Sequence, residues 1–175
     1  MSDNENIEIS DDVIDLEEIE VQDKDPYDRT LYLVVADESN GFEVALKYGA
    51  SLAKARRSHL GILFVLDVDD FQHWSGVENK MRAELREHAE KFLKKAAQKV
   101  YDFKGIYPAL YIREGNKVTE VRKLIEEEQV IRSVVLAAGS DKSGQDELLS
   151  DFIDKGLSNL TVPLTIIPEH LGGEH

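Results

Sequence analysis

From Arg29 onward two hydrophobic periods take turns along the chain, and this alternation constrains the fold more than any motif does. "TLYLVVA" is a short β-branched and aromatic run of the kind that forms a buried strand. "GFEVALKYGASLAKA" then repeats its small and apolar residues at helical spacing through Phe42, Ala45, Leu46, Gly49, Leu52 and Ala53. "HLGILFVLDV" predicts a second strand. A polar loop containing "DDFQHWSG" leads to a long helix from about Glu78 to Phe103 on Met81, Leu85, Ala89, Phe92, Ala96 and Val100. Its acids lie early and Lys94, Lys95 and Lys99 late, which complements the helix dipole. A strand at "GIYPALYIR" and a helix through Val118, Val121, Leu124 and Ile125 follow. Next come a strand at "IRSVVLAA" and a helix through Leu148, Leu149, Phe152, Ile153, Leu157 and Leu160. "VPLTIIP" predicts a fifth strand, with Pro163 and Pro168 suited only to its ends or to a sheet edge.

Strands and helices in this order imply right-handed crossovers and a mostly parallel open sheet with helices on both faces, an α/β fold. In such sheets the ligand crevice lies beyond the carboxyl ends of the strands, where the strand order reverses. Three loops therefore matter: "ADESNG", "DVDDFQHWSG" and "AGSDKSG". Trp74, the sole tryptophan, stands in the second. Its plainer role is to fold onto its own domain; the alternatives are to lid a ligand or anchor a partner.

At 175 residues, 42% of them hydrophobic, the chain suits one core-bearing domain. The net charge of −14 looks like a statement about partners until it is divided. Residues 1–26 hold eleven acids against Lys24, so −10 sits there and −4 remains for the rest. Such a segment buries too little apolar surface to offset its ordering entropy, and a disordered acidic tail is expected up to about Asp25 and Pro26. Its interleaved Ile7, Ile9, Val13, Ile14, Leu16, Ile19 and Val21 leave a second reading, an amphipathic segment that folds on a basic partner. The expected organisation is this tail, one domain over residues 27–170 and a short tail over 171–175. The chain lacks the clustered cations that nucleic acid or an anionic membrane would require. There is no cysteine for a disulfide or a thiolate metal site, no signal-like start and no long apolar run, so the expectation is a cytoplasmic protein.

Read together, "LYLVVADESNGFEVALKYGASLAKARRSHLGILFVLDV" and "VVLAAGSDKSGQDELLSDFIDKGLSNLTVPLTIIP" resemble the universal stress protein A family. The resemblance spans about Arg29 to Pro168. It rests on Asp37 and Ser39 after the first strand, an Ala-rich helix, and a second strand ending in Val65 to Asp67. It implies a five-stranded Rossmann-like sheet of order 3-2-1-4-5, a homodimer through the last strand, and a nucleotide crevice in members that bind ATP. Asp37 and Val65 fall where the family contacts the base and its surroundings. The family's ATP binders carry Gly-x-x-Gly, nine residues, then Gly followed by Ser or Thr. Gly139, with Ser140 beside it, takes the first glycine's place; Gly144 lies too far along for the second, and the closing pair falls on Ser150 and Asp151.

At that last position a carboxylate replaces a hydroxyl. Beside a phosphate it is repelled by about 1 kcal/mol in water, and by about 4 kcal/mol at an effective dielectric near 20 and a separation of about 4 Å. Asp141, Asp146 and Glu147 add to this, and Lys142 is the only cation between Ala137 and Phe152. Mg²⁺ can bridge acids and phosphates, so ATP or AMP with Mg²⁺ stays open while tight, metal-free binding is not expected. The spacing from Gly139 to Gly144 imitates a P-loop, but Gln145 and Asp146 stand where Lys and Ser or Thr are required. Ser143 with Asp146 fits a capping box, in which the helix's own N–H groups are already satisfied.

Catalysis finds thin support. The five histidines show neither metal-ligand spacing nor a nucleophile partner, and Ser140 and Ser143 lack a Gly-x-Ser-x-Gly elbow. The resemblance, taken with these departures in the loop, implies a homodimeric stress-response regulator that acts by protein contacts with weak or no ATP binding. An ATP- or AMP-binding nucleotide sensor with a rearranged loop is the alternative, and a slow nucleotide hydrolase is a distant third.

Overall fold

A computed structural model describes residues 29–67, 78–138 and 145–172. The expectations for the acidic tail, for the Trp74 loop and for Gly139, Ser140 and Gly144 lie outside those residues. Five strands, β1 (Leu31–Val35), β2 (His59–Leu66), β3 (Ala109–Glu114), β4 (Ile131–Ala138) and β5 (Leu164–Pro168), form one sheet. Its order is β3-β2-β1-β4-β5 and every pairing is parallel. The helices are α1 (Phe42–Arg56), α2 (Glu78–Lys104), α3 (Lys117–Glu127) and α4 (Gln145–Asp151).

The side-chain period of two divides each central strand between two cores. Val34, Ile62 and Val135 face α1 and α2, where Ala45, Leu46, Ala50, Leu93, Ala96 and Val100 cover them. Leu33, Val35, Leu63, Val134 and Leu136 face Val121, Leu124, Leu148 and Phe152 of the other layer. Helix α1 lies so close to β1 that a Cβ on Gly49 would stand 2.6 Å from Val34 Cγ2, which explains a glycine inside an otherwise good helix. Among the described residues no helix is long and apolar enough to cross a membrane.

Three elements differ from expectation. The inward stripe of α2 is Ala89, Leu93, Ala96 and Val100, while Phe92 sits at the edge, with its ring centroid 5.2 Å from that of Phe42 and 5.4 Å from that of Phe64. β3 begins only at Ala109, because Gly105 takes φ +69° to end α2 and Pro108 has no N–H for a ladder. The last helix is not continuous. After Asp151 the chain makes a π turn over Phe152–Gly156 and a 3₁₀ turn over Leu157–Asn159. Phe152, one regular turn after the buried Leu148, is fully buried, while Ile153 and Leu157 are 53% and 46% exposed. Phe152→Ala should therefore cost about 3–5 kcal/mol of stability and Ile153→Ala less than about 1 kcal/mol, measured by urea unfolding. Equal costs would contradict this division of the two side chains between core and surface.

Candidate functional site

The strand order reverses between β1 and β4, and the chain leaves their carboxyl ends toward opposite layers, to α1 and to α4. Beyond β1, the Ala36 amide donates to the Leu63 carbonyl at 2.7 Å, carrying the pairing one residue past the strand and setting where Asp37 leaves the sheet. Asp37 Oδ1 accepts from the Ser39 amide at 3.1 Å and from Ser39 Oγ, an Asx turn that holds the carboxylate over the strand end. Burial pushes the Asp37 pKa up, and the two Ser39 hydrogen bonds and the positive charge of Lys117 oppose the rise.

Lys117 reaches this place through the third crossover. The Gly115 amide donates to the Leu66 carbonyl at 2.9 Å, pinning the β3–α3 turn to the end of β2. Asn116 then caps α3, its Oδ1 accepting from the Thr119 amide at 3.1 Å, and Lys117 is the first helical residue. Sequence reasoning singled out Asp37 and Ser39 and missed Lys117. Nothing local marks it, since only the neighbouring positions of β1, β2 and β3 bring its charge to bear on Asp37.

Val65 stands one residue short of the end of β2 and is 4% exposed, packed in the core beneath α3 and α4. Gly139, Ser140 and Gly144 belong to the stretch between the end of β4 at Ala138 and the start of α4 at Gln145, outside the described residues. Asp151 stands six residues into the helical run, about 9 Å along the axis from Gln145 at 1.5 Å per residue. Its Oδ1 lies 3.5 Å from Lys155 Nζ, one turn further on. Its charge therefore acts from the body of the helix and not from the mouth of the loop.

The surroundings are acidic and already paired. Glu38 is bound to His88, and Glu43 reaches Lys99 at 3.0 Å and Lys47 at 3.2 Å. Glu114 takes Arg82 at 3.5 Å and Arg86 at 3.8 Å, and the buried Glu120 takes Lys123 at 2.7 Å. A cavity of about 230 Å³ opens between the β1–α1 loop and α2, lined by Ser39, Asn40, Phe92, Lys95 and Lys99. Neither Asp37 nor Val65 lines it, and it is smaller than the roughly 300–1,000 Å³ of small-molecule sites. Among the described residues no group of three His, Cys, Asp or Glu side chains is placed to hold a metal ion.

The sequence matches the Universal stress protein family over residues 32–168. The chain belongs to that family. Solved universal stress proteins share its fold. The UspA of Lactobacillus plantarum superposes with a TM-score of 0.67 at 18% identity, over 80% of this chain and 99% of that one. A family member from Burkholderia pseudomallei gives 0.59 at 20% identity, over 79% and 96%. A universal stress protein solved in complex with cAMP gives 0.58 at 13% identity, over 81% and 98%. No curated protein sequence matches the chain. The five-stranded order and the helices on both faces of this universal stress protein are those that the resemblance implied.

Because the Asp37 pKa is raised in the folded state, folding holds the proton more tightly there than the unfolded chain does. The contribution of Asp37 is therefore most favourable below the ordinary aspartate value of 3.8 and is lost as pH rises through the raised value. Asp37→Asn keeps a side-chain oxygen for the Ser39 amide and removes the titration. Its melting temperature should exceed the parent's at pH 7, with the gain shrinking as pH falls through the aspartate range. A pH-independent difference would contradict the assigned cause.

Proposed function

We propose that this universal stress protein is a homodimeric stress-response regulator that acts through protein contacts and binds ATP or AMP only weakly without metal. The supporting observation is the electrostatics of the crevice. Asp37 has Lys117 for its opposing charge, Arg82 and Arg86 lie against Glu114, Lys99 lies against Glu43, and the sequence that follows β4 carries Lys142 among Asp141, Asp146 and Glu147. An incoming triphosphate would have to displace these pairings or bring Mg²⁺. The reading places no catalytic step on the protein. Dimerisation is assigned to β5, a sheet edge whose Ile166 is 40% exposed and whose outer backbone groups need a partner. Its protein partners, like the cytoplasmic setting, belong to this same reading.

A nucleotide sensor is the second reading, favoured by one arrangement: a carboxylate held by Ser39 at the switch point with a lysine nearby. The neighbour solved with cAMP adds to its interest.

Isothermal titration with ATP, AMP and cAMP, with and without Mg²⁺, separates the two. The regulator reading expects metal-free dissociation constants well above about 1 μM, the level that corresponds to about −8.2 kcal/mol. A metal-free value at or below that level would favour the sensor. Asp151→Ser should change affinity by only a few-fold, since Asp151 acts from within the helix; a hundred-fold gain would identify it as the block. Ile166→Lys should convert a dimer to a monomer in light scattering, and an unchanged dimer would remove β5 from the interface.

A further inference from the structure

The end of the sheet opposite the crevice carries a second, unassigned surface. Thr30, where the described chain enters the fold, is fastened between two turns. Its carbonyl accepts from the amide of His59, the first residue of β2, at 2.8 Å, and its Oγ1 lies 2.8 Å from Ser58 Oγ in the α1–β2 connection. On the other side the Leu31 amide donates to the Val130 carbonyl at 2.8 Å, in the α3–β4 turn. The cations of this end include Arg29, Lys54, Arg56, Arg57 and Arg132. All five are exposed, and none forms an ion pair among the described residues. Glu126 and Glu128 are the acids of the adjoining turn left outside those pairs, since Glu127 is bound to Arg113.

An open groove of about 500 Å³ has Ile125, Ile131 and Val162 as its apolar lining, with Arg132 as its cation, Glu126 as its acid, and Gln129 and Pro163 beside them. Into this end leads the segment that holds −10 of the chain's −14 charges and interleaves them with Ile7, Ile9, Val13, Ile14, Leu16, Ile19 and Val21.

We propose that residues 7–21 of the chain dock on this amino-terminal end of the sheet, acids against Arg29, Lys54, Arg56, Arg57 and Arg132, apolar side chains in the Ile125–Ile131–Val162 groove. Charge sign, apolar content and point of attachment all agree. The eight residues from Val21 to Arg29 span up to about 26–29 Å when extended, enough to cross the end face in either direction. Tethering also gives the segment an effective concentration in the millimolar range at its own site, so it outcompetes a second copy or a free acidic protein at ordinary concentrations.

The chain has no cysteine, so Ser10→Cys gives a single thiol for a nitroxide label in the full-length protein. Paramagnetic broadening of backbone amides should concentrate on Thr30, Ser58, Val130, Arg132 and Val162 and spare Asp37 and Leu66. It should fall about five-fold in the charge-reversed variant Lys54→Glu/Arg56→Glu/Arg132→Glu, and substantially in about 0.5 M salt, where screening shortens to a few ångströms. Broadening that is indifferent to both changes would mean a free tether and overturn the proposal. Broadening of the same strength in a mixture of nitroxide-bearing chains at natural nitrogen abundance with ¹⁵N chains that carry no nitroxide would assign the surface to a second copy and overturn it as well.

Discussion

Leu33, Val34 and Val35 of β1, and Val134, Val135 and Leu136 of β4, are each no more than 2% exposed, so both faces of the sheet's centre must be covered. At roughly 25 cal/mol per Å² of apolar surface, leaving either face open would cost more than the few kcal/mol by which domains are stable. Parallel pairing supplies the cover, because each crossover carries a helix onto a face. With α1 and α2 on one side and α3 and α4 on the other, the winding reverses between β1 and β4. The crevice at Asp37 is thus a consequence of burying two strands completely.

The same winding sorts charge. Every described helix begins near the carboxyl ends of the strands and finishes near their amino ends, so the dipoles run in one sense. Glu43 and Glu120 answer them in the first turns of α1 and α3, and Lys54 and Arg56 in the last turn of α1. One end of the domain is left acidic and internally paired, the other basic with unpaired cations. Helix starts that could receive a phosphate are thereby partly answered by the protein's own carboxylates. This polarity underlies both the weak nucleotide binding proposed for the crevice and the docking proposed for the opposite end.

How much of this was legible in the sequence depended on the range of the cause. β4 could be read to the residue because "IRSVVLAA" is apolar on both faces and bounded by polar turns. Pro163 and Pro168, which have no N–H to donate, fitted only the ends or an edge of a strand, and they flank and end β5; its edge position came from the strand order that the resemblance implied. Asp37 and Ser39 were visible because a strand end followed by an acid and a serine is a local pattern. Leu93 in place of Phe92 was not, since a shift of one residue within a helical stripe is decided by which side chain fits under α1. The π turn after Asp151 was invisible for a similar reason: Phe152, Ile153 and Leu157 suit a regular helix until the core chooses Phe152 alone. Lys117 could be placed near Asp37 only after the strand order was known.

The central claim is that an acidic, self-paired crevice on a homodimeric universal stress protein does not hold a nucleotide without metal. Native mass spectrometry of the protein purified in the absence of added nucleotide and Mg²⁺ tests it most directly. The account predicts a species of two chains with no adduct. A stoichiometric mass increment matching ATP, AMP or cAMP on each chain would contradict it.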